Sequence, residues 1–148
     1  MNSKIEDKNL RKLTKRIEDV RRKLDITPRR NVAAAQVQIY ISNEASPIYW
    51  VETLIAVSGR KTLPGTVSLV PYGQFQTFSI PPGHDRSADT EYKLLEAIAS
   101  RCDPQSSGVV DLVTERSPCP SCTFVIEQFR KRFPGIKLNI MDGQGQVY

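Results

Sequence analysis

A chain of 148 residues, 39% hydrophobic and 25% charged, is long enough for one buried core and too ordinary in composition for a disordered or fibrous protein. It has no run of about 18 apolar residues and its first residues are charged, so neither a membrane-spanning helix nor a secretion signal of its own is expected. A net charge of +5 and an isoelectric point near 9.2 suit a polyanionic partner, nucleic acid first, and leave fold and chemistry open.

From Lys4 to Ile26 the apolar residues Leu10, Leu13, Ile17, Val20 and Leu24 recur three and four apart, one narrow stripe on a helix otherwise covered in charge. Thr27-Pro28 stops it. Roughly half of the basic residues lie in this first fifth of the chain. Residues 1–28 therefore read as an amphipathic basic helix and linker ahead of a single domain over 29–148. The helix docks on that domain or forms a short coiled coil, with a nucleic-acid-gripping arm as the alternative.

Val32 to Ile41 alternates at Val37, Ile39 and Ile41, and Thr53 to Val57 is a short apolar run closed by Ser58-Gly59, which predicts two antiparallel strands. Between Arg60 and Arg86, Thr66 to Val70 and Phe75 to Ile80 read as short strands or ordered loop, broken by Pro64-Gly65, Pro71 and Pro81-Pro82-Gly83. Such a long aromatic-bearing loop suits the rim of a pocket. Beyond it, helix Thr90 to Ser100, strand Val109 to Val113, helix Pro118 to Phe133 and strand Ile136 to Met141 alternate, which predicts an α/β fold with parallel strands joined by crossover helices. Ser117 is the expected N-cap of the last helix, Pro118 its first residue, and Pro134-Gly135 its end.

The chemistry concentrates at two helix starts. Glu91 shares the core-facing stripe with Leu94, Leu95 and Ile98, and a carboxylate there needs a reason. Cys119 and Cys122 continue into Val125, Ile126, Phe129 and Phe133, so both sulfurs lie near the buried side of a helix start, where the dipole favours thiolates. With Asp89 they would supply three protein ligands to a catalytic zinc ion that keeps one position open. Glu91, not a ligand, would then move a proton from activated water to a base ring and its leaving amine, the division of labour in ligand-x-Glu plus Pro-Cys-x-x-Cys deaminase sites. Asp at position 89 departs from the usual His or Cys, and His84, the only histidine, is the competing ligand. Three blander readings compete: Asp89 as a plain N-cap, the cysteines as a redox pair, or a structural zinc site formed with Cys102 and His84. Cys102 reads otherwise as a small buried hydrophobe. An odd cysteine count with no disulfide framework points to a reducing compartment.

The stretches His84-Asp-Arg86, Asp89-Thr-Glu-Tyr-Lys-Leu-Leu-Glu96, Thr114-Glu-Arg-Ser-Pro-Cys-Pro-Ser-Cys122, Val125-Ile-Glu-Gln-Phe-Arg130 and Phe133-Pro134 together resemble the cytidine deaminase-like toxin domains of bacterial polymorphic toxins. Asn31-Val-Ala-Ala-Ala-Gln-Val37 and Ser58-Gly59 are weaker echoes. The resemblance runs from about Arg29 to Met141. It implies a three-layer α/β/α sandwich with a mixed sheet, preceded by the N-terminal helix, a zinc ion between the motif helices, and hydrolysis of cytosine to uracil. It also implies the tip of a secreted effector that acts in the cytoplasm of a target cell and is neutralised by a cognate immunity protein. A monomer without membrane contact is the default expectation. Cytosine in a polymer must be single-stranded or flipped out. Tyr72, Phe75 and Phe78 are then candidates for stacking, with Arg86, Arg116 and Pro118 as further candidates around the substrate. Deamination of free nucleosides or nucleotides, and a non-catalytic nucleic-acid-binding module with structural zinc, are the alternatives.

Overall fold

A computed structural model describes residues 4–41, 47–70, 73–77 and 89–148. Its elements are α1 (Asp7–Leu24), β1 (Val32–Ile41), β2 (Ile48–Val57), α2 (Thr90–Ala99), β3 (Ser107–Thr114), α3 (Pro120–Arg132) and β4 (Ile136–Asp142). Together they make an α/β fold in which one mixed sheet, ordered β2-β1-β3-β4, separates two helical layers. β1 runs antiparallel to both neighbours, and β3 and β4 are parallel, joined by α3.

Central position explains the composition of β1. Residues 32–37 are buried without interruption, because both faces of the strand are covered. Ala33, Ala35, Val37 and Ile39 point into the core shared with α2 and α3, whereas Val32 and Ala34 join Ile5, Leu13 and Ile17 on the α1 side. Three consecutive alanines let helices approach the sheet from both faces. α1 thus forms a layer of the sandwich, with Leu13 and Ile17 as its buried stripe. Among the described residues no helix is long and apolar enough to cross a membrane.

The linker after α1 is tied to the loop that follows β3. Asp25 ends the helix in the left-handed region at φ 50°. Arg21 then grips Glu115 with two parallel hydrogen bonds, Nε to Oε2 at 2.7 Å and Nη2 to Oε1 at 2.8 Å, and its remaining donors reach the carbonyls of Ile26, Thr27 and Arg30. Glu115 Oε1 also accepts the Val32 N–H at 2.8 Å, and the carboxylate raises the pKa of the guanidinium above its ordinary value. Glu115→Ala strands both donors, so a loss of about 1.5–3 kcal/mol is expected, read as a melting point roughly 4–10 °C lower by calorimetry.

Several elements differ from their sequence expectations. β2 begins at Ile48, five residues before the apolar run that signalled it. Residues 66–70 and 75–77 form no strand, and 78–80 lie outside the described residues. α3 starts at Pro120 with Cys119 as its N-cap, two residues later than the Ser117 cap. Pro120 is the cause: a residue before proline is pushed out of the helical region, and Cys119 accordingly sits at φ −72°, ψ 168°. Pro120 takes the first helical position, where its missing N–H costs nothing.

Candidate active site

Two helix starts, α2 and α3, meet at the ends of β2 and β3. Asp89 is the N-cap of α2, yet its side chain makes no capping bond, and neither does that of Cys119 at the head of α3. Both side chains turn instead toward a common point. Asp89 Oδ2 lies 3.4 Å from Cys122 Sγ and 3.6 Å from Cys119 Sγ, and the sulfurs are 3.4 Å apart. The plain-cap reading of Asp89 fails on that geometry, since a cap would place its oxygen on a first-turn N–H. Asp89, Cys119 and Cys122 are the one cluster of three metal-ligating side chains among the described residues, with ligand atoms within 4.8 Å of one another.

Glu91 stands directly behind this cluster. It is 3% exposed, its Oε2 lies 3.3 Å from Cys122 Sγ, and the same oxygen accepts the Thr90 hydroxyl at 3.0 Å. The thiol of Cys122 is pushed far above its ordinary pKa by its hydrogen bond with Cys119, then by burial, then by the charges of Glu91 and Asp89. The three side chains converge at two helix N-termini, and a set of two sulfurs and one carboxylate oxygen within 4.8 Å of one another fits zinc.

Cys102 takes no part. It follows the far end of α2, a ten-residue helix about 15 Å long, and burial raises its thiol to about 11. The four-ligand structural site thus loses Cys102 as a member, and His84 lies outside the described residues.

The cluster opens into a cavity of about 380 Å³ lined by Arg29, Asn31, Ser58, Asp89, Thr90, Glu91, Arg116, Ser117, Cys119 and Cys122, a volume that suits a small organic ligand. Of the candidates for substrate contact, Arg116 lines it, with its guanidinium donating to the carbonyls of Arg29, at 3.1 Å, and Pro28. Pro118 is half-buried between the lining residues Ser117 and Cys119. Phe75 is a correction: it is 6% exposed and packs against Phe129 at 6.0 Å between ring centroids, which makes it core rather than a stacking platform. Tyr72, Phe78 and Arg86 lie outside the described residues.

Sequence reasoning passed over Arg29, Asn31, Ser58, Thr90 and Ser117 as lining residues. It also missed that α2 is buried on nearly all sides. Lys93 sends its ammonium to the carbonyls of Val57 and Gly59 at 2.7 and 2.6 Å, and burial lowers its pKa. Glu96 accepts the N–H groups of Gln74 and Phe75 at 2.9 and 2.8 Å. One helix thereby positions Glu91 and fixes two of the loops around it.

Asp142 fixes the third. Its Oδ2 accepts Ser117 Oγ at 3.0 Å and Tyr148 OH at 2.6 Å, and its Oδ1 accepts the N–H groups of Gln144 and Gln146 at 2.8 and 3.0 Å. Burial works to raise its pKa, but the bonds from Tyr148, Gln144, Gln146 and Ser117 outweigh it, so the carboxyl titrates below its ordinary range. A depressed carboxyl stabilises the fold above its unfolded pKa of about 4 and loses that effect as pH falls through the folded value. Asp142→Asn should therefore melt lower than the parent at pH 7, and the difference should shrink in melts run from pH 4 downward.

The model of the Toxin-deaminase family, the BURPS668_1122 family of deaminases, matches residues 74–144. No curated protein and no solved structure matches the chain. The matched segment contains both helix starts and all four of Asp89, Glu91, Cys119 and Cys122, and over residues 74–144 the chain is similar to this family of toxin deaminases.

Proposed function

We propose that the domain is a zinc-dependent deaminase that hydrolyses cytosine to uracil in nucleic acid and serves as the toxic portion of a secreted effector, countered in the producing cell by an immunity protein. The observation that carries this reading is the carboxylate of Glu91 held 3.3 Å from Cys122, beside the Asp89–Cys119–Cys122 cluster, in a segment similar to a deaminase family.

Asp89, Cys119 and Cys122 would hold the ion. When bound, the ion would supply water acidic enough to attack at neutral pH. Glu91 would take a proton from the attacking water, pass it to the pyrimidine ring nitrogen, and carry a second proton to the departing amine. Cytosine plus water then gives uracil plus ammonia. The cavity wall of Ser58 and Ser117 orients the ring edge, and the buried flank behind Glu91 keeps bulk water from the carboxylate. A net charge of +5, with Arg29 and Arg116 at the cavity, favours a phosphate-bearing polymer over a free nucleoside.

The test is incubation of the purified domain with cytosine-bearing single-stranded DNA, single-stranded RNA and free cytidine, with uracil read by mass spectrometry. Uracil in either polymer supports the proposal. Turnover of cytidine alone moves the substrate to free nucleosides, and no uracil in any arm with zinc bound refutes the reading.

A further inference from the structure

Asn31 holds three elements of the site together. Just ahead of β1, it donates its backbone N–H to Ser58 Oγ at 2.8 Å and accepts the Ser58 N–H at 2.9 Å. Its amide nitrogen donates to Thr90 Oγ1 at 2.9 Å, on α2, and to Thr114 Oγ1 at 2.8 Å, at the end of β3. Thr90 in turn donates to Glu91 Oε2 at 3.0 Å. Thr90 and Thr114 are 1% and 0% exposed, so water does not compete for these bonds.

Counting protons fixes the direction of this chain. A threonine hydroxyl has one hydrogen, and that of Thr90 is spent on the carboxylate of Glu91, which only accepts. Toward Asn31 the hydroxyl must therefore accept, which places the NH2 of the amide, not its oxygen, against Thr90. Both amide hydrogens are then used, and Asn31 Oδ1 is left buried with no hydrogen-bond partner among the described residues. A bare buried acceptor is unfavourable, and it persists here because the other end of the same amide is committed twice.

We propose that Asn31 is a positioning residue for the proton shuttle: by filling the acceptor site of Thr90, it aims the Thr90 hydroxyl at Glu91 Oε2 and so pins the carboxylate beside Cys122. This inference rests on the reading of Glu91 as the shuttle. Neither Asn31 nor Thr90 need touch the substrate for this role, and each acts through Glu91.

The experiment compares Asn31→Ala, Thr90→Val, Thr90→Ser and the Asn31→Ala/Thr90→Val double variant with the parent. It measures kcat and KM on a cytosine-bearing single strand, zinc content, and the position of the Glu91 carboxylate in crystals of Thr90→Val and Thr90→Ser. Asn31→Ala and Thr90→Val should each lower kcat about 10–100-fold with KM within about twofold and zinc retained. Thr90→Ser keeps the hydroxyl and should return kcat to within a few-fold of the parent. Because both residues act along one chain, the double variant should be no worse than the poorer single one. Multiplying losses, a raised KM at unchanged kcat, or no recovery in Thr90→Ser would overturn the proposal. Where Asn31→Ala does not fold, the threonine pair decides alone. The crystals judge the relay even if the parent shows no turnover: a Glu91 carboxylate that stays against Cys122 in Thr90→Val refutes it, and one that swings away in Thr90→Val but not in Thr90→Ser upholds it. The deaminase reading itself is judged by the parent against Glu91→Ala.

Discussion

Glu91→Gln should lower deamination by about 10²–10⁴-fold while zinc content, folding and substrate affinity stay near those of the parent. Glutamine keeps the size of the side chain and can still accept from Thr90 Oγ1, as Glu91 does at 3.0 Å. It cannot take a proton from water and hand it on. In a non-catalytic binding module the same change would be quiet, because Gln fills the same space and satisfies the hydrogen bond. Rates on a fluorescent single-stranded substrate, paired with zinc analysis of the same sample, separate the two.

Changing a ligand should act on the ion first and on rate as a consequence. Cys122→Ser and Asp89→Ala each remove one of the three donors that lie within 4.8 Å of one another, so zinc should fall from about one per chain toward zero after dialysis against a weak chelator. Loss of the ion also removes its stabilisation of the folded state, which grows with free zinc as RT ln(1 + [Zn]/Kd), and the melting point of the parent should rise with added zinc while that of Cys122→Ser stays flat. Asp89→His is the informative contrast. Neutral imidazole is an ordinary zinc ligand, so this variant should keep the ion and give a complex one unit less negative. If Asp89→Ala held zinc as tightly as the parent, the ligand would have to be sought elsewhere, His84 first.

The residues at the two helix starts were legible because they sit in local patterns. Asp89 lies two residues before Glu91, and Cys119 three before Cys122, so each pair occupies one helical turn whose place in the fold follows from its own apolar stripe. The start of α3 was misplaced by two residues, at Ser117 and Pro118 instead of Cys119 and Pro120. Two prolines compete in Ser117-Pro118-Cys119-Pro120, and the later one decides, because it bars Cys119 from helical backbone while Ser117 is drawn to Asp142. The N-cap is then itself one of the candidate ligands.

What stayed hidden depends on distant partners. The first half of β2 carries Ile48, Tyr49 and Val51 exposed at 48%, 50% and 53%, so no inward-facing alternation marks it. Its order comes from pairing with β1, including Tyr49 stacked on Tyr40 at 4.3 Å. The polar positions of α2 would suit a wet face, yet Lys93 and Glu96 are buried because the chain between β2 and α2 packs over them and supplies carbonyls and N–H groups. Asn31 meets Thr90 and Thr114 across 59 and 83 residues of sequence, a separation at which no local pattern operates. The docking of α1 was half legible. Its stripe was plain, but the surface it covers, built from Ala34, Ile55, Val57, Val113 and Met141, comes from four different strands.

The most direct measurement is deamination in water enriched in heavy oxygen. Cytosine-bearing single strands are incubated with the zinc-loaded domain, digested to nucleosides and analysed by mass spectrometry. Hydrolysis driven by Glu91 predicts uridine or deoxyuridine carrying one heavy oxygen per event, with ammonia released in equal amount and no product from Glu91→Gln. Unlabelled product, equal product from Glu91→Gln, or cytosine left intact by the zinc-loaded protein would contradict it.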